Sequence, residues 1–320
     1  MKLNDFYKAV VEKGIEADPR GKDMVKEELK KTAEKYKALK PEEKKKFDED
    51  KLFNPYADTR VMNGSLNSEI KSVLVGVDID AGELAIADRL CEKGKKIDLV
   101  MAHHPSGKAY ANFYEVMGMQ NALYNQAGVP INVAENTMGP RMKDVERRVL
   151  PSNHTRAVDA AKLLNLNMMC AHTVADNHVA AYLMNLFAKK KPETIKDILD
   201  LLNDIEEYKI SAANNAGPKI FAGSESSKCG KIYVDMTGGT EGPKEIYEAA
   251  SKAGFGTFVG MHYSDEHRKE IEKNFMNIVV AGHISSDNLG LNLLLDAVMK
   301  KCGKLEILEC SGYRRVDRTK

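Results

Sequence analysis

The chain has 320 residues, 43% of them hydrophobic and 30% charged, and its 48 Lys and Arg against 47 Asp and Glu give a net charge of +1. That charge lacks the basic excess typical of nucleic-acid binders, although it is compatible with a local basic patch. No apolar run approaches the roughly 20 residues of a membrane-spanning helix, and the N-terminus lacks the apolar core of a signal peptide. The five cysteines are single and odd in number, which indicates reduced thiols. Composition therefore predicts a cytoplasmic globular protein that does not enter a membrane.

The first 67 residues differ in pattern from the rest of the chain. Residues 5–12 and 22–40 have the spacing of two amphipathic helices, and Pro41 interrupts the second one. The tract over residues 42–51 mixes charges of both signs, which favours a solvated helical face over a polybasic arm. We therefore predict an N-terminal helical extension, with the segment that leads into the first half of the fold, over residues 1–67.

Strands and helices alternate from Ser72 onward. The apolar runs 73–78 and 97–102 flank a helical pattern over residues 81–95, which is a βαβ unit and implies parallel strands. A second series of strands and helices begins at Lys231. The predicted fold class is α/β, with two related halves and mixed or parallel sheets. The predicted units are a first half over residues 68–190, a helical connector over 191–228 and a second half over 229–320.

Two adjacent histidines, His103 and His104, follow the apolar run that ends at Ala102 and precede Pro105. Side chains alternate along a strand, so the two imidazoles point to opposite sides of the chain. That geometry serves two neighbouring metal ions, or one metal ion and one substrate. Taken alone, the pair is better explained as histidines packed at a turn. Asp78, which ends the preceding strand, either orients one of these histidines or caps the chain.

Metal-binding residue types follow two further predicted strands. His172 and Asp176 follow one of them, and His283 and Asp287 follow the other. Reactive groups of open α/β sheets gather at the carboxyl ends of strands, and a spacing of four places His283 and Asp287 on one face of a helical continuation. Imidazole and carboxylate ligands together favour Zn²⁺, Fe²⁺, Mn²⁺ or Co²⁺. Because the donors exceed the needs of one tetrahedral zinc, we predict two divalent ions that share a carboxylate.

The order and placement of these motifs resemble the NIF-three-like family (NGG-interacting-factor-three-like proteins), whose members are also called GTP cyclohydrolase I type 2 homologues. The resemblance spans about residues 54–320, and the segments that carry it are 54–64, 77–78, 103–105, 171–176, 231–239 and 282–287. It implies a dinuclear metal site on His103, His104, Asp176, His283 and Asp287. It also implies that Asp176 bridges the two ions, and that His172, which precedes Asp176, is not a ligand itself but supports the ligands. Position 287 usually carries Glu in the family, and the shorter Asp is expected to affect metal spacing or occupancy.

The resemblance further implies a function and an assembly. It implies a metal-dependent hydrolase that acts on a nucleotide or a phosphorylated small molecule, with water activated at the metals as the nucleophile. It also implies a homo-oligomer. The competing interpretation is a non-catalytic metal-binding regulatory or scaffold protein that acts through protein or nucleic-acid partners. The net charge does not support nucleic acid among those partners.

Three weaker candidates complete the predicted site. Gly238 and Gly239 lie in a turn between a strand and a helix, where backbone N–H groups can hold phosphate, although turn geometry alone also explains them. His262 follows another strand and is either an acid/base or substrate contact, or an ordinary surface histidine. Glu135 follows a further predicted strand over residues 130–134 and is a candidate substrate-binding or supporting carboxylate.

Overall fold

The computed structural model describes residues 1–319, within which the chain forms nine strands and fourteen α-helices. The strands are β1 (Thr59–Asn63), β2 (Ser72–Gly76), β3 (Leu99–Ala102), β4 (Met168–Ala171), β5 (Lys219–Ala222), β6 (Lys231–Asp235), β7 (Phe255–Gly260), β8 (Asn277–Val280) and β9 (Glu306–Cys310). The helices are α1 (Leu3–Glu16), α2 (Lys22–Ala38), α3 (Pro41–Lys44), α4 (Ala81–Glu92), α5 (Gly107–Ala111), α6 (Met119–Gln126), α7 (Ile131–Val149), α8 (Arg156–Leu163), α9 (Thr173–Lys190), α10 (Ile195–Asn203), α11 (Glu206–Ala213), α12 (Tyr247–Lys252), α13 (Asp265–Lys273) and α14 (His283–Cys302). Short 3₁₀ helices cover Glu49–Leu52, Phe113–Gly118 and Lys244–Ile246.

The first sheet has the strand order β1-β4-β3-β2-β9, and only its edge strand β1 is antiparallel to its neighbour. Strands β2, β3 and β4 are buried along their whole length, which explains their continuous apolar sequences. Gly76 lies opposite Ala102, and Ala102 lies opposite Cys170. The residues that follow these three strands therefore emerge together at one edge of the sheet.

The second sheet has the order β5-β8-β7-β6, with β5 as the antiparallel edge strand. Asp235 lies opposite Gly260, which in turn lies opposite Val280. The carboxyl ends of β6, β7 and β8 are thus also aligned. The predicted α/β class with two sheets of mostly parallel strands is confirmed.

The first sheet gathers parts that are distant in sequence. Strand β9, near the end of the chain, pairs with β2 in parallel, and helix α1 contributes Leu3, Phe6 and Val10 to the core that includes residues of β2 and β3. The predicted N-terminal helices are present as α1 and α2. Of these, α2 buries only Val25, as a solvated helix should. None of the helices within residues 1–319 has both the length and the apolar composition for a bilayer crossing.

Helices α9 and α14 cross at very close range. A Cβ atom on Gly290 of α14 would lie 2.5 Å from the carbonyl oxygen of Ala175 in α9, so only glycine fits there. Asp176 follows Ala175 directly, and Asp287 lies one helical turn before Gly290. The crossing therefore fixes the two carboxylates close to each other.

The predicted strand over residues 130–134 is wrong, because these residues open helix α7. Pro130 precedes the first helical residue, where its missing N–H costs nothing. The buried positions Ala134 and Met138 have helical spacing, which a five-residue window does not reveal. The strands β1 and β5, which had no prediction, are both antiparallel edge strands.

Candidate metal centre

The carboxyl ends of the two sheets meet at one cluster of imidazoles and carboxylates. His103 and His104 follow β3, and His172 follows β4. The first turn of α9 supplies Asp176, and the first turns of α14 supply His283 and Asp287. The ring centroids of His103 and His104 are 5.1 Å apart, and those of His104 and His283 are 5.2 Å apart. All five predicted metal ligands are therefore neighbours.

His103 is fully buried and has one nitrogen directed at the carboxylates. Its Nδ1 lies 3.1 Å from the carbonyl oxygen of Ala171, and because a carbonyl can only accept, Nδ1 carries the proton. Its Nε2 lies 3.4 Å from Asp176 Oδ1 and 3.4 Å from Asp287 Oδ1. This tautomer leaves the lone pair of Nε2 available to a metal ion.

His104 is oriented in a similar way by a carboxylate. Asp78 Oδ1 lies 2.7 Å from His104 Nδ1, so Asp78 orients this imidazole. The His104 Nε2 lies 3.6 Å from Asp287 Oδ2. Burial, followed by the charges of His103 and His172, lowers the His104 pKa to about 4. His104 is therefore neutral at pH 7, as a metal ligand must be.

His172 is held by a buried carboxylate that sequence reasoning missed. Asp58 Oδ2 accepts hydrogen bonds from His172 Nδ1 at 2.8 Å, from Thr173 Oγ1 at 2.6 Å and from the Thr173 N–H at 3.3 Å. Burial alone would raise the Asp58 pKa, but these donors hold it below its usual value. The ring of His172 lies 4.7 Å from that of His103, centroid to centroid. A carboxylate–imidazole pair of this kind orients and strengthens a metal ligand.

Several buried donor atoms of the cluster have no hydrogen-bond partner within residues 1–319. They are His103 Nε2, Asp176 Oδ1 and both carboxylate oxygens of Asp287. An unsatisfied buried carboxylate is costly unless a cation compensates it. Burial raises the Asp176 pKa to about 6, whereas the surrounding imidazoles overcome burial and lower the Asp287 pKa to about 2. These residues therefore fit a bound metal ion.

The donor atoms fall into overlapping groups whose members lie within 4.8 Å of one another. One group is His104, His283 and Asp287, and a second is His103, Asp176 and Asp287. A third joins His172 to the adjacent pair His103 and His104. Asp287 belongs to both carboxylate-containing groups, so in this geometry Asp287, and not Asp176 as the resemblance implied, is the carboxylate that both groups share.

A cavity of about 50 Å³ lies beside the cluster, and the second sheet forms its far wall. The cavity is lined by His172, Asp176, Asp235, Met236, Thr237, Gly239, Thr240, Glu241, Met261, His262 and His283. Asp235 ends β6, and its Oδ2 accepts a hydrogen bond from Tyr263 Oη at 3.1 Å. Burial and the nearby charge of Glu241 raise the Asp235 pKa to about 6. His262 lies 3.5 Å from Glu241, and its ring centroid is 4.9 Å from that of His283.

The weaker candidates are placed differently from one another. His262 faces this cavity, whereas Glu135 is exposed on helix α7 and is not among the lining residues. Gly238 and Gly239 have φ values of +100° and +86°, which glycine adopts without strain. A Cβ atom on Gly238 would lie 2.5 Å from Gln120 Cγ, so packing explains that glycine. Gly239 lines the cavity, and a phosphate-holding role for the turn stays a prediction.

Sequence reasoning also missed Asp235 and Glu241. Asp235 is the last residue of β6, so testing that strand end for carboxylates would have found it. Glu241 lies in the glycine-rich turn, where no periodic pattern marks its direction.

Together, the fold and the site define an α/β protein whose two sheets meet at a histidine–aspartate cluster suited to metal binding. A crystal structure of a NIF3 superfamily protein from Sphaerobacter thermophilus is similar, with a TM-score of 0.70 and 27% sequence identity over 80% of this chain and 91% of that one. Reduced HcgD from Methanocaldococcus jannaschii aligns with a TM-score of 0.48 and 15% identity over 78% of this chain and 87% of that one. A Bacillus cereus protein related to NIF3 aligns with a TM-score of 0.43 and 12% identity over 79% and 91%.

A scan against family models found no match, and neither did a search of curated proteins. The structure of the Sphaerobacter thermophilus protein nevertheless covers most of this chain and matches it in fold. The resemblance predicted from the sequence is confirmed, because a solved structure of a NIF3 superfamily protein matches this chain over most of its length.

Proposed function

We propose that this protein is a hydrolase that uses two divalent metal ions to act on a nucleotide or a phosphorylated small molecule. The observation that carries the proposal is a set of buried atoms around Asp287 that have no hydrogen-bond partner within residues 1–319 and that could each bind a metal ion. Two groups of donors, His104 with His283 and His103 with Asp176, approach this one carboxylate. Such an arrangement suits two ions that share a bridging ligand better than it suits a single ion.

The side chains of the cluster have separate roles in this proposal. Bound divalent ions lower the pKa of water and polarise the bond to be cleaved. The ions would be held by His103, His104, Asp176, His283 and Asp287, whose chemistry favours Zn²⁺, Fe²⁺, Mn²⁺ or Co²⁺. The carbonyl of Ala171 and the carboxylate of Asp78 keep His103 and His104 in the tautomer that binds metal. His262, which lines the cavity, would exchange a proton with a substrate bound there.

Metal content and turnover test this proposal together. The purified chain is loaded with Mn²⁺, Zn²⁺ or Fe²⁺ and assayed with GTP, phosphodiesters and dinucleotides. We expect Asp176→Ala and His103→Ala to lose metal and turnover. Asp200→Ala, which alters an exposed aspartate on α10, should keep both. Unchanged metal content in both site variants would refute the metal site. Full metal content without turnover of any substrate would instead favour the regulatory or scaffold interpretation.

We also propose a cytoplasmic location and a homo-oligomeric assembly. The five cysteines are all free, which suits a reducing compartment. Strand β9 is an edge strand of the first sheet, and edge strands often pair or are covered. Light scattering of the purified chain tests the assembly, and a monomeric mass would refute it.

A further inference from the structure

The wall of the cavity that faces the metal cluster carries a carboxylate that the metal site does not use. Asp235 lies at the end of β6, and within residues 1–319 its carboxylate receives one hydrogen bond, from Tyr263. Buried Asp58, by contrast, receives hydrogen bonds from His172 and from both the hydroxyl and the N–H of Thr173. Asp235 is partly buried, and a carboxylate that is withdrawn from water normally collects such donors or a counter-ion. Asp235 therefore receives fewer hydrogen bonds from the protein than Asp58 does.

No lysine or arginine is among the described residues that line this cavity. Its carboxylates are Asp176, Asp235 and Glu241, and the metal cluster beside it adds the carboxylate of Asp287. Arg141 donates to the backbone carbonyl of Glu241, but its side chain lines a neighbouring cavity. Two divalent ions would balance four carboxylates and leave no positive surplus on the far wall. A phosphate group entering against that wall would meet negative charge.

Glu241 differs from Asp235 because the protein already engages it. Its Oε1 accepts the N–H of Ser264 at 2.6 Å and lies 3.5 Å from His262 Nδ1, while its Oε2 lies 3.6 Å from His267 Nε2. Glu241 thus has partners on both oxygens, and Asp235 has a free acceptor capacity toward the cavity. Asp176, whose unpartnered Oδ1 lies 3.4 Å from His103 Nε2, also lines this cavity, so the cavity borders the donor atoms of the proposed metal site.

Resting on the function proposed above, we propose that Asp235 is a specificity-determining residue that accepts a hydrogen bond from nitrogen on the substrate. The matching group is an amine, an amidine or the amino group of a heterocycle. If the substrate carries phosphate, the phosphate stays at the metals or outside and does not face Asp235. Met236 and Met261 line the same space and would contact the apolar body of such a group.

Two ligands that share a phenyl ring and carry opposite charges test this assignment. Benzamidine presents N–H donors on a phenyl ring, and phenyl phosphate presents a dianion on the same ring. Their affinities are measured by calorimetry on the metal-loaded chain. We expect Asp235→Asn to weaken benzamidine about tenfold or more, because a charge-assisted hydrogen bond is lost. Phenyl phosphate should bind the variant equally well or more tightly.

Matched variants separate a local effect from a general change of charge. Glu241→Gln should change benzamidine affinity less than about threefold, because its partners are protein groups. Glu248→Gln, on the exposed face of α12, should have no effect. The assignment is overturned if benzamidine does not bind the wild type, if Asp235→Asn leaves its affinity within threefold, or if both ligands weaken in parallel. If this pattern appears while no substrate is turned over, the hydrolase proposal fails and the assignment of Asp235 stands.

Discussion

The two sides of the site are built in different ways. On the first-sheet side, His103, His104 and His172 each have a second nitrogen held by Ala171, Asp78 or Asp58. On the second-sheet side, His283 and His262 are 40% and 48% exposed and contact each other. The first side is therefore preorganised for ligation, while the second side completes the site and contacts whatever enters the cavity. This difference predicts which substitutions abolish metal binding and which only modify it.

The largest effect is expected at Asp287, which both sides share. Replacing Asp287 with Ala removes the carboxylate near His103, His104 and His283. We expect metal affinity to fall more than about 100-fold for both ions. This loss exceeds the one typically seen when a residue that only hydrogen-bonds to a metal ligand is replaced. Competition with a chelating dye measures this affinity. Retention of one tightly bound ion would show that Asp287 is not shared.

A smaller but substantial loss of metal affinity is expected when Asp58, the partner of His172, is replaced. Asp58→Asn keeps the shape of the side chain but removes the charge that orients His172. Metal affinity should fall about 10- to 100-fold, as for other carboxylate–histidine pairs. The same chelator titration measures it, with Asp200→Asn as the exposed control. An affinity within twofold of wild type would mean that His172 takes no part in metal binding.

On the second-sheet side, we expect replacement of the two neighbouring histidines to have different effects on metal content. His283→Ala removes a donor from only one group, so we expect one ion per chain to be retained with an affinity within about tenfold of wild type. His262→Ala should retain both ions, because His262 belongs to none of the donor groups among the described residues. Elemental analysis after gel filtration measures the stoichiometry. Equal losses of metal in the two variants would contradict the proposal that His283 binds metal and His262 does not.

The smallest expected effect concerns stability and Asp235. Its pKa is raised from 3.8 to about 6, so the native state binds this proton more tightly than the unfolded state does. The carboxylate therefore costs stability that grows as the pH rises from about 4 to 6 and stays constant above that range. Because Asp235 is only partly buried, we expect Asp235→Asn to stabilise the metal-free chain by about 1 kcal/mol at pH 7.5 and not at pH 4. Urea denaturation at the two pH values measures this, and equal gains at both would contradict it.

The sequence predicted the parts of the site that follow buried parallel strands. A short aliphatic run that ends in histidine marks both the strand and the ligand, as at Ala102–His103. Asp58 could not be found in this way, because it precedes a short edge strand in an irregular segment and acts on a histidine far along the chain. The sharing of Asp287 depends on the helix crossing at Gly290, which is a property of packing rather than of spacing.

Local sequence patterns also predict only part of the fold. Strand β9 returns to the first sheet beside β2, and no local pattern reports a pairing between residues so distant in sequence. The residues that open α7 do not distinguish a short strand from a helix, because the helical period becomes visible only over a longer window. Local periodicity thus predicts most elements, and tertiary contacts decide their partners.

We propose that two ions lie between the two sheets and share Asp287 as a ligand. Anomalous diffraction from crystals of the metal-loaded chain tests it most directly. We expect two peaks about 3.5–4 Å apart, one beside His104 and His283 and the other beside His103 and Asp176. A single peak at full occupancy, or peaks that do not both contact Asp287, would contradict it.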